Sequence, residues 1–519
     1  MNETILPLVR SAQDASGSRF HIFSGLILLA LSVILLKTIN IFGTSKESYP
    51  LAGYSSKHAF PALRARLGWF LNGGTFIDDA FVKYPDQIFR LPTLNRYMLV
   101  LPPKYLAEVN DAPDSVLSNG HASTDFFIGN WTTIDYAIFD HPTLDAVKKQ
   151  YISKIGVQVG LAADEAIHAI PRRFSSCQDW TPVSLNATIR PLLVQIATRT
   201  TVGSELCRDP EWIDNIVGYA QSVAFASTYL KTLPPFLRPL AYLLPDYHRI
   251  HWYKRRLHKL LRPHIKQFLD DDGNEWGARN EVETLLAYYA EVLPSHEMTP
   301  DSIAHRLIGS SVGAFQLTTS VVSNCILDLA AAFDKYAPAL REEIGEVLGD
   351  QQKITNAHLA KMWKLDSFMK ESLRFRPISK LSGNRKVLQP FRLSSGTVLP
   401  VGAHISFPGG PMSLSDSYIR DARTFDGFRF ERMRLDPKQD HSGLQFTSNT
   451  AAAMHLGSGR QQCPGRFFGA AMGKIILIKL LQRFDLALKE GQSRPDSLKL
   501  MDMDILHPDA EVLVRERVL

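Results

Sequence analysis

The stretch His455–Ala470 constrains the fold of this chain more than any other, because it joins a glycine-rich loop to a long apolar run. Its glycines give the backbone the freedom that a tight loop requires. Cys463 lies inside the loop, and Pro464 follows it at a position typical of the first residue of a helix. The apolar run 467–484 then predicts a buried helix behind the loop.

A cysteine at a loop-to-helix junction meets the N-terminal amides and the positive dipole end of the helix. Both effects favour the thiolate over the thiol, and a thiolate is one of the axial ligands of haem iron. A lone cysteine is more often a small buried hydrophobic residue. The position of Cys463, rather than its residue type, therefore makes it a candidate iron ligand.

The same stretch resembles the haem-binding loop of the cytochromes P450, which is written F-G-x-G-x-[HR]-x-C-x-G. The positions that match are Gly457, Gly459, Cys463 and Gly465. Leu456 stands where a phenylalanine normally packs beside the sulfur, and Gln461 stands where a basic residue normally meets a haem propionate. We hypothesise that Arg460 supplies the missing charge.

A long apolar stretch over 301–334 predicts a helix capped by Thr299 or Asp301. Hydroxyl side chains inside such a helix usually bond back to the carbonyl oxygen four residues earlier. The stretch therefore predicts a central helix with several hydroxyls turned onto its own backbone.

The resemblance assigns the centre of this helix to the oxygen-binding motif [AG]-G-x-[DEH]-T-[TS]. Ala314, Thr318 and Thr319 match the motif, whereas Phe315 replaces its glycine and Leu317 its acid or histidine. Thr318 is then the catalytic proton relay, and it lacks its usual carboxylate neighbour. Protons then come through water, through Gln316 if its side chain turns inward, or not at all. The resemblance also implies that Ala314, Phe315 and Leu317 form an apolar ceiling over the substrate pocket, which Phe315 narrows.

Glu371 and Arg374 share one face of a helix predicted over 361–376 and ended by Pro377. Such an i, i+3 pair alone adds only about 0.2–0.5 kcal/mol. Together with Arg429, the two residues resemble the E-x-x-R pair and its third partner in the cytochromes P450. That resemblance implies a structural role behind the haem and no part in the chemistry.

Other candidate residues rest on the resemblance and on their place in the sequence. Arg385 and Lys148 are candidates to contact the haem propionates, and an ordinary solvated lysine is the alternative for Lys148. Ile378 and Gly383 are expected to face substrate along a segment beside the haem.

Two more segments are expected near the substrate. The stretch 118–131 lacks a helical period, which predicts a loop. The resemblance implies that this loop lies over the substrate, with Phe127 either lining the pocket or anchoring the loop. Near the C-terminus, a turn at His507 and Pro508 is expected to touch the pocket.

Composition and charge narrow the class of protein. The chain has 519 residues, of which 45% are hydrophobic, and a formal net charge of +6 without blocks of like charge. Nucleic-acid binding is therefore not indicated. The four cysteines show no metal-binding spacing and are too few for a disulfide framework. These features indicate a reducing compartment.

The N-terminal segment 20–36 is apolar, and residues 38–42 extend it to about the 20 residues that span a bilayer. A cleaved signal peptide is the alternative, but no clear small-residue cleavage site follows. We predict a lumenal tail over 1–21, a transmembrane anchor over 22–42 and a catalytic domain over 43–519. The resemblance implies that this domain lies on the cytosolic side of the endoplasmic reticulum membrane.

The resemblance covers nearly the whole chain. It implies a mainly α fold with a small β region, with haem b clamped between the Thr318 helix and the Cys463 loop. The implied function is a monooxygenase that oxidises a bulky lipophilic secondary metabolite, with O2 and electrons from NADPH through a cytochrome reductase. A haem-thiolate enzyme that rearranges, dehydrates or desaturates its substrate without net oxygen insertion is one alternative. A non-enzymatic haem-binding membrane protein is the other.

Overall fold

The computed structural model describes residues 49–53, 61–174, 177–270, 283–349, 351 and 353–517. They form a mainly helical fold with four small sheets, as predicted. The predicted tail and anchor, 1–42, lie outside the described residues. The α-helices are α1 (Pro61–Lys83), α2 (Leu106–Asp111), α3 (Asn119–Phe127), α4 (Gly129–Thr132), α5 (His141–Asp145), α6 (Ile155–Arg173), α7 (Leu185–Cys207), α8 (Pro210–Thr232), α9 (Pro245–Asp270), α10 (Leu285–Val292), α11 (Pro300–Ala331), α12 (Phe333–Leu348), α13 (Asn356–Lys361), α14 (Trp363–Phe375), α15 (Gly409–Ser413), α16 (Arg429–Leu435) and α17 (Arg466–Arg483).

The largest sheet has five strands in the order β1-β2-β8-β5-β3, and β4-β12-β9, β6-β7 and β10-β11 form the smaller sheets. Within the largest sheet β2 and β8 run parallel, and the other neighbours are antiparallel. The strands are β1 (Phe89–Pro92), β2 (Tyr97–Val100), β3 (Leu117–Ser118), β4 (Thr181–Ser184), β5 (Ser382–Val387), β6 (Phe391–Arg392), β7 (Val398–Leu399), β8 (His404–Phe407), β9 (Phe484–Ala487), β10 (Leu498–Leu500), β11 (Met503–Ile505) and β12 (Glu511–Glu516).

Helix α11 lies at the centre of the helical part, where it packs against α7, α9, α14 and α17. Thr299 caps it by accepting a hydrogen bond from the Ser302 N–H at 3.2 Å, which is one of the two predicted caps. The Thr318 hydroxyl donates to the Ala314 carbonyl at 2.9 Å, so the predicted back-bonding is confirmed. Among the described helices, α11 is the one long and apolar enough to cross a membrane, but it is mostly buried inside the protein. Its apolar character therefore reflects a core position.

The predicted loop over 118–131 is wrong, because α3 and α4 occupy most of it. The Ser118 hydroxyl caps α3 by accepting from the His121 N–H at 3.2 Å. Ile128, with φ +54°, separates the two helices. Such short helices are fixed by their caps and their packing rather than by a repeating apolar pattern. The lack of a helical apolar period over 118–131 therefore did not indicate a loop.

The predicted contact of the His507–Pro508 turn with the pocket stays a prediction. The carbonyls of both residues accept hydrogen bonds from the Asn186 side chain, at 3.2 and 2.9 Å, which fixes the turn against the first turn of α7. The turn between β10 and β11 lies beside the expected substrate segment. There the Asp504 N–H donates to the Ile378 carbonyl at 3.0 Å.

Candidate active site

The Cys463 loop is a tight turn closed by its own backbone. The Cys463 N–H donates to the Leu456 carbonyl at 2.8 Å. Gly457 and Gly459 have φ of +83° and +61°, and a Cβ at Gly459 would lie 2.5 Å from the Cβ of Asn110. Glycine is therefore required by backbone conformation at both positions and by space at Gly459.

The helix behind this loop is α17, which begins at Arg466 rather than at Pro464 as predicted. Burial raises the pKa of the Cys463 thiol, whereas the Gly465 and Arg466 amides and the Arg466 charge lower it. The predicted amide effect is thus present, but burial outweighs it, so the protein alone favours the thiol. Cys463 keeps partial exposure, in contrast to the three other cysteines, which are buried.

The middle of α11 is open, although the helix is mostly buried on both sides of it. Gly313, Gln316 and Leu317 are exposed there, and a Cβ at Gly313 would meet no atom within 4 Å. Thr318, in the same turn, adjoins the helix of the cysteine loop, since a Cβ at Gly469 would lie 3.3 Å from its hydroxyl oxygen. An accessible part of the central helix is thus brought next to α17.

Phe315 does not share this open face, so its predicted place in the pocket ceiling is wrong. Its side chain is fully buried in the main hydrophobic core. Two residues turn an α-helix by about 200°, which points Phe315 away from Leu317. Ala314 and Thr318, which are four residues apart and therefore on one side of the helix, both keep partial exposure. The Phe ring therefore fills the core and does not narrow the pocket.

Glu371, Arg374 and Arg429 form one buried ion cluster. The Arg374 guanidinium binds the Glu371 carboxylate through two hydrogen bonds of 2.7 Å, and Arg429 Nε donates to the same carboxylate at 3.1 Å. The remaining guanidinium donors of both arginines reach backbone carbonyls, including those of Ala422 and Thr424. The cluster ties α14 to the chain that leads into α16.

Arg385 is a buried arginine on β5 that contacts the cysteine loop. It donates to the carbonyls of Ser458 and Asn384 at 2.9 and 2.8 Å, and its Nε has no partner within the described residues. Burial lowers the pKa of Arg385 to about 10, opposed by the charge of Asp114. The Nε of Arg466 is likewise buried and, within the same part of the chain, unpartnered. Unpartnered buried guanidinium groups are sites for carboxylates.

The two other candidate propionate contacts, Lys148 and Arg460, are both exposed. Gln461, which replaces the basic residue of the loop motif, makes two hydrogen bonds through its side chain. Its amide nitrogen donates to the Leu117 carbonyl and its amide oxygen accepts from the Asn119 N–H, both at 2.6 Å. Gln461 therefore fastens the cysteine loop to the junction of β3 and α3, a role that the motif did not predict.

The three remaining pocket candidates differ in what surrounds them. Phe127 is partly buried and packs edge-on against Phe126, with ring centroids 5.2 Å apart. Ile378 is partly buried beside the β10–β11 turn. Gly383 has φ +69°, and a Cβ there would lie 3.1 Å from the Ser458 hydroxyl. Gly383 therefore allows β5 to approach the cysteine loop, and its place facing substrate stays a prediction.

Two charged residues near these positions were missed by the sequence reasoning. Lys231 is buried at the end of α8, and Asp502 lies in the β10–β11 turn. Neither belongs to a motif, and 270 intervening residues separate them along the chain.

These features fit a haem. A partly exposed cysteine lies in a backbone-closed loop, the central helix is open in its middle, and the buried Nε atoms of Arg385 and Arg466 have no hydrogen-bond partner among the described residues. The donor set suits a planar apolar group with carboxylate substituents and a metal that accepts a thiolate.

Comparison with known proteins agrees with this geometry. A family model described as Cytochrome P450 matches residues 188–514. The cytochrome P450 monooxygenase olcJ of Penicillium canescens is 31% identical, over 84% of this chain and 82% of that protein. The ent-kaurene oxidase of Gibberella intermedia is 27% identical, over 92% and 89%. The solved structure of retinoic acid bound cyanobacterial CYP120A1 matches with a TM-score of 0.67 at 17% identity, covering 91% of this chain and 100% of that one; this likeness concerns the fold alone.

Proposed function

The chain belongs to the cytochrome P450 family and is a monooxygenase, and from this premise we propose that it oxidises a bulky lipophilic secondary metabolite of terpenoid, meroterpenoid or polyketide type. Electrons come from NADPH through a cytochrome reductase. The observation that carries the proposal is the partly exposed Cys463 beside the open middle of α11. The terpenoid class is supported by a relative named ent-kaurene oxidase.

In this proposal Cys463 is the axial ligand of haem b, and Arg385 is the main propionate contact, assisted by Lys148 and Arg460. When bound, a thiolate-ligated haem supplies the chemistry that splits O2 and inserts one oxygen atom into the substrate. Ala314 and Leu317 exclude water from above the reacting carbon. The apolar segment 22–42 anchors the chain in the endoplasmic reticulum membrane, with the catalytic domain in the cytosol.

Thr318 holds the proton that the reaction consumes. Its hydroxyl donates to the Ala314 carbonyl at 2.9 Å, which leaves the lone pairs of the oxygen free to accept from a water. Gln316 lies about 200° around the helix from Thr318, so its amide does not share the same face. Water, rather than Gln316, therefore delivers protons to Thr318.

The experiment that tests the proposal is the absorption spectrum of the reduced, carbon-monoxide-bound membrane fraction, recorded for the wild type and for Cys463→Ser. We expect a strongly red-shifted Soret band in the wild type and its loss in the variant, because thiolate ligation produces the shift. An unshifted band in the wild type would overturn the monooxygenase mechanism. With the shifted band established, NADPH and a reductase should yield an oxygenated lipophile.

A second experiment separates this proposal from oxidation without oxygen insertion, which Leu317 at the acid position motivates. We expect Leu317→Asp to raise the fraction of NADPH that ends in hydroxylated product, because a carboxylate restores the missing proton source. Unchanged coupling in the variant, with desaturated or rearranged product in both proteins, would favour the alternative. Leu317→Asn is the matched control, since it adds polarity without an ionisable group.

A further inference from the structure

Helix α9 carries a basic stripe along its exposed side, formed by Arg255, Lys259, Arg262 and Lys266, with Trp252 at its start. All five side chains are exposed, and they are alternately three and four residues apart. This spacing keeps them on one side of an α-helix over about 21 Å. The residues of the other side that are buried in the core are Ile250, Leu257, Leu261, Ile265 and Phe268. The basic stripe is therefore a surface of the protein.

Three of the four cations in the basic stripe have no acidic partner. Arg262 is the exception, because its Nη2 lies 2.7 Å from Oδ1 of Asp301. In the part of the chain that the structure describes, Arg255, Lys259 and Lys266 form no ion pair of 4.0 Å or less. A row of uncompensated positive charges attracts a negatively charged partner.

An apolar patch lies at the N-terminal end of the same helix. It is formed by Phe236, Tyr242 and Leu243 of the 3-10 helix Pro235–Leu243, and each of the three is more than half exposed. The His248 Nε2 donates to the Tyr242 carbonyl at 2.7 Å. This bond holds the apolar patch beside the first turns of α9, where the basic stripe begins.

A membrane surface suits both features. Tyrosine and tryptophan prefer the boundary between lipid and water, and exposed apolar side chains such as Phe236 and Leu243 lose contact with water when they enter the headgroup region. Lysine and arginine are attracted by the negative surface potential of anionic phospholipids. An acidic protein surface would match the charge of the basic stripe alone, whereas an anionic bilayer also matches the apolar patch.

We propose that the basic stripe and the apolar patch form one docking surface for a bilayer that contains anionic phospholipids. The apolar patch enters the headgroup region, and Arg255, Lys259 and Lys266 bind the phosphate and carboxylate groups of the lipids. This inference goes beyond the proposed function, because it assigns lipid binding to the catalytic domain itself, in addition to the predicted anchor 22–42. Such a contact holds the domain in one orientation on the membrane.

The test compares lysine acetylation of the full chain in two kinds of vesicle, one of phosphatidylcholine alone and one that also contains phosphatidylserine. Vesicle-bound protein is isolated by flotation and treated with a water-soluble acetylating reagent, and each lysine is followed by mass spectrometry. We expect Lys259 and Lys266 to react about five-fold more slowly in the anionic vesicles. About 1 M salt should remove this protection, because it screens the charges. Lys335 and Lys438, which are exposed on other elements, should react equally in both kinds of vesicle.

A second readout is the quenching of Trp252 fluorescence by brominated phosphatidylcholine, taken as the difference between each protein and its Trp252→Phe form. We expect stronger quenching in anionic than in neutral vesicles for the wild type. The triple variant Arg255→Gln, Lys259→Gln and Lys266→Gln should lose that difference.

The matched control is the triple variant Lys335→Gln, Arg423→Gln and Lys438→Gln. It removes the same number of positive charges from exposed positions outside α9. It should quench as the wild type does, because its substitutions change the net charge and leave the basic stripe intact.

Equal acetylation of Lys259 and Lys266 in the absence and presence of phosphatidylserine would overturn the proposal, whether the two lysines are protected in both kinds of vesicle or in neither. Protection that appears only after a cytochrome reductase is added to neutral vesicles would also overturn it and would assign the basic stripe to a protein partner. An unshifted carbon-monoxide band in the wild type would end the proposed function, while the acetylation pattern would still decide whether this surface binds lipid.

Discussion

The Glu371 cluster and the surroundings of the Cys463 loop both bury arginine side chains, but they use them differently. In the cluster, two guanidinium groups and one carboxylate are 8% exposed or less, and hydrogen bonds occupy the cluster's charged groups. Beside the loop, Arg385 and Arg466 each keep a buried Nε that has no partner in the described residues. Arg385 is as buried as the arginines of the cluster, but its Nε has no hydrogen-bond partner among the described residues.

This difference distinguishes buried charges that stabilise the fold from buried charges that bind a ligand. A buried charge whose donors all reach protein acceptors holds elements together, because removing either partner leaves the other uncompensated. A buried charge with a free donor carries a desolvation cost that a ligand can remove. By this criterion we expect Glu371, Arg374 and Arg429 to stabilise the fold and Arg385 to bind an anion.

The largest effect should follow from breaking the closed cluster. Arg374→Ala leaves Glu371 buried and without its bidentate partner, which costs about 3–5 kcal/mol in similar buried pairs. We expect little folded protein and no haem-thiolate band, measured by soluble yield, urea unfolding and the carbon-monoxide spectrum. Arg432→Ala, which removes an exposed arginine paired with Asp426, is the control and should behave as the wild type. A wild-type unfolding midpoint in Arg374→Ala would contradict the structural role.

Arg385→Leu tests whether this buried arginine binds haem rather than stabilising the fold. We expect about ten-fold weaker haem retention, because a propionate loses its guanidinium partner, with about 1–3 kcal/mol lost from the free energy of apoprotein unfolding for the two backbone hydrogen bonds. Haem transfer to apomyoglobin measures retention. Arg392→Leu, on the neighbouring β6 and exposed, is the matched control. If the variant lost as much stability as Arg374→Ala, Arg385 would be structural as well.

Gln461 and Arg460 are adjacent in the cysteine loop, and we expect Gln461 to stabilise the fold and Arg460 to bind haem. Gln461→Leu removes both hydrogen bonds to the β3–α3 junction and should destabilise the fold by about 1–3 kcal/mol, since it leaves backbone groups unpaired.

Arg460→Ala should leave urea unfolding unchanged and lower haem retention several-fold. Unchanged haem content in Arg460→Ala would refute its proposed propionate contact.

The smallest effect should come from a partly exposed cluster. Although burial raises the pKa of Asp125, hydrogen bonds from His404 and Lys386 and the charge of Arg96 lower it more strongly, so the net shift is downward. Because the folded pKa is depressed, the stabilisation is complete above the unfolded value of about 3.9 and is lost as the pH falls through the folded pKa.

Asp125→Asn should therefore lower stability at about pH 7 by roughly 0.5–1 kcal/mol, discounted for solvent screening. The difference from the wild type should persist at about pH 5 and narrow below about pH 4, as followed by urea unfolding. A difference that grew on acidification would show that the sign of the pKa shift is wrong.

The positions of the long helices were largely predictable. The helices around Glu371 and behind Cys463 begin and end within two residues of their predicted bounds, because a buried helix repeats its apolar face over many residues. The short helices over 119–132 were not predictable from a period, since Ser118 and the neighbouring elements fix them. Phe315 was misplaced because a motif assigns positions along a helix without saying which face meets the core.

The sequence by itself determined the family and the mainly helical fold and indicated Cys463 as the candidate iron ligand, because local spacing and apolar periodicity carry that information. Only the tertiary structure decided which buried charged groups of the described residues have all their hydrogen-bond donors paired and which keep an unpaired donor. It showed that Gln461 bonds the cysteine loop to the β3–α3 junction, and that the Nε of Arg385 has no hydrogen-bond partner among the described residues. These are relations between residues hundreds of positions apart, and hydrogen-bond satisfaction is set by packing in space rather than by order along the chain.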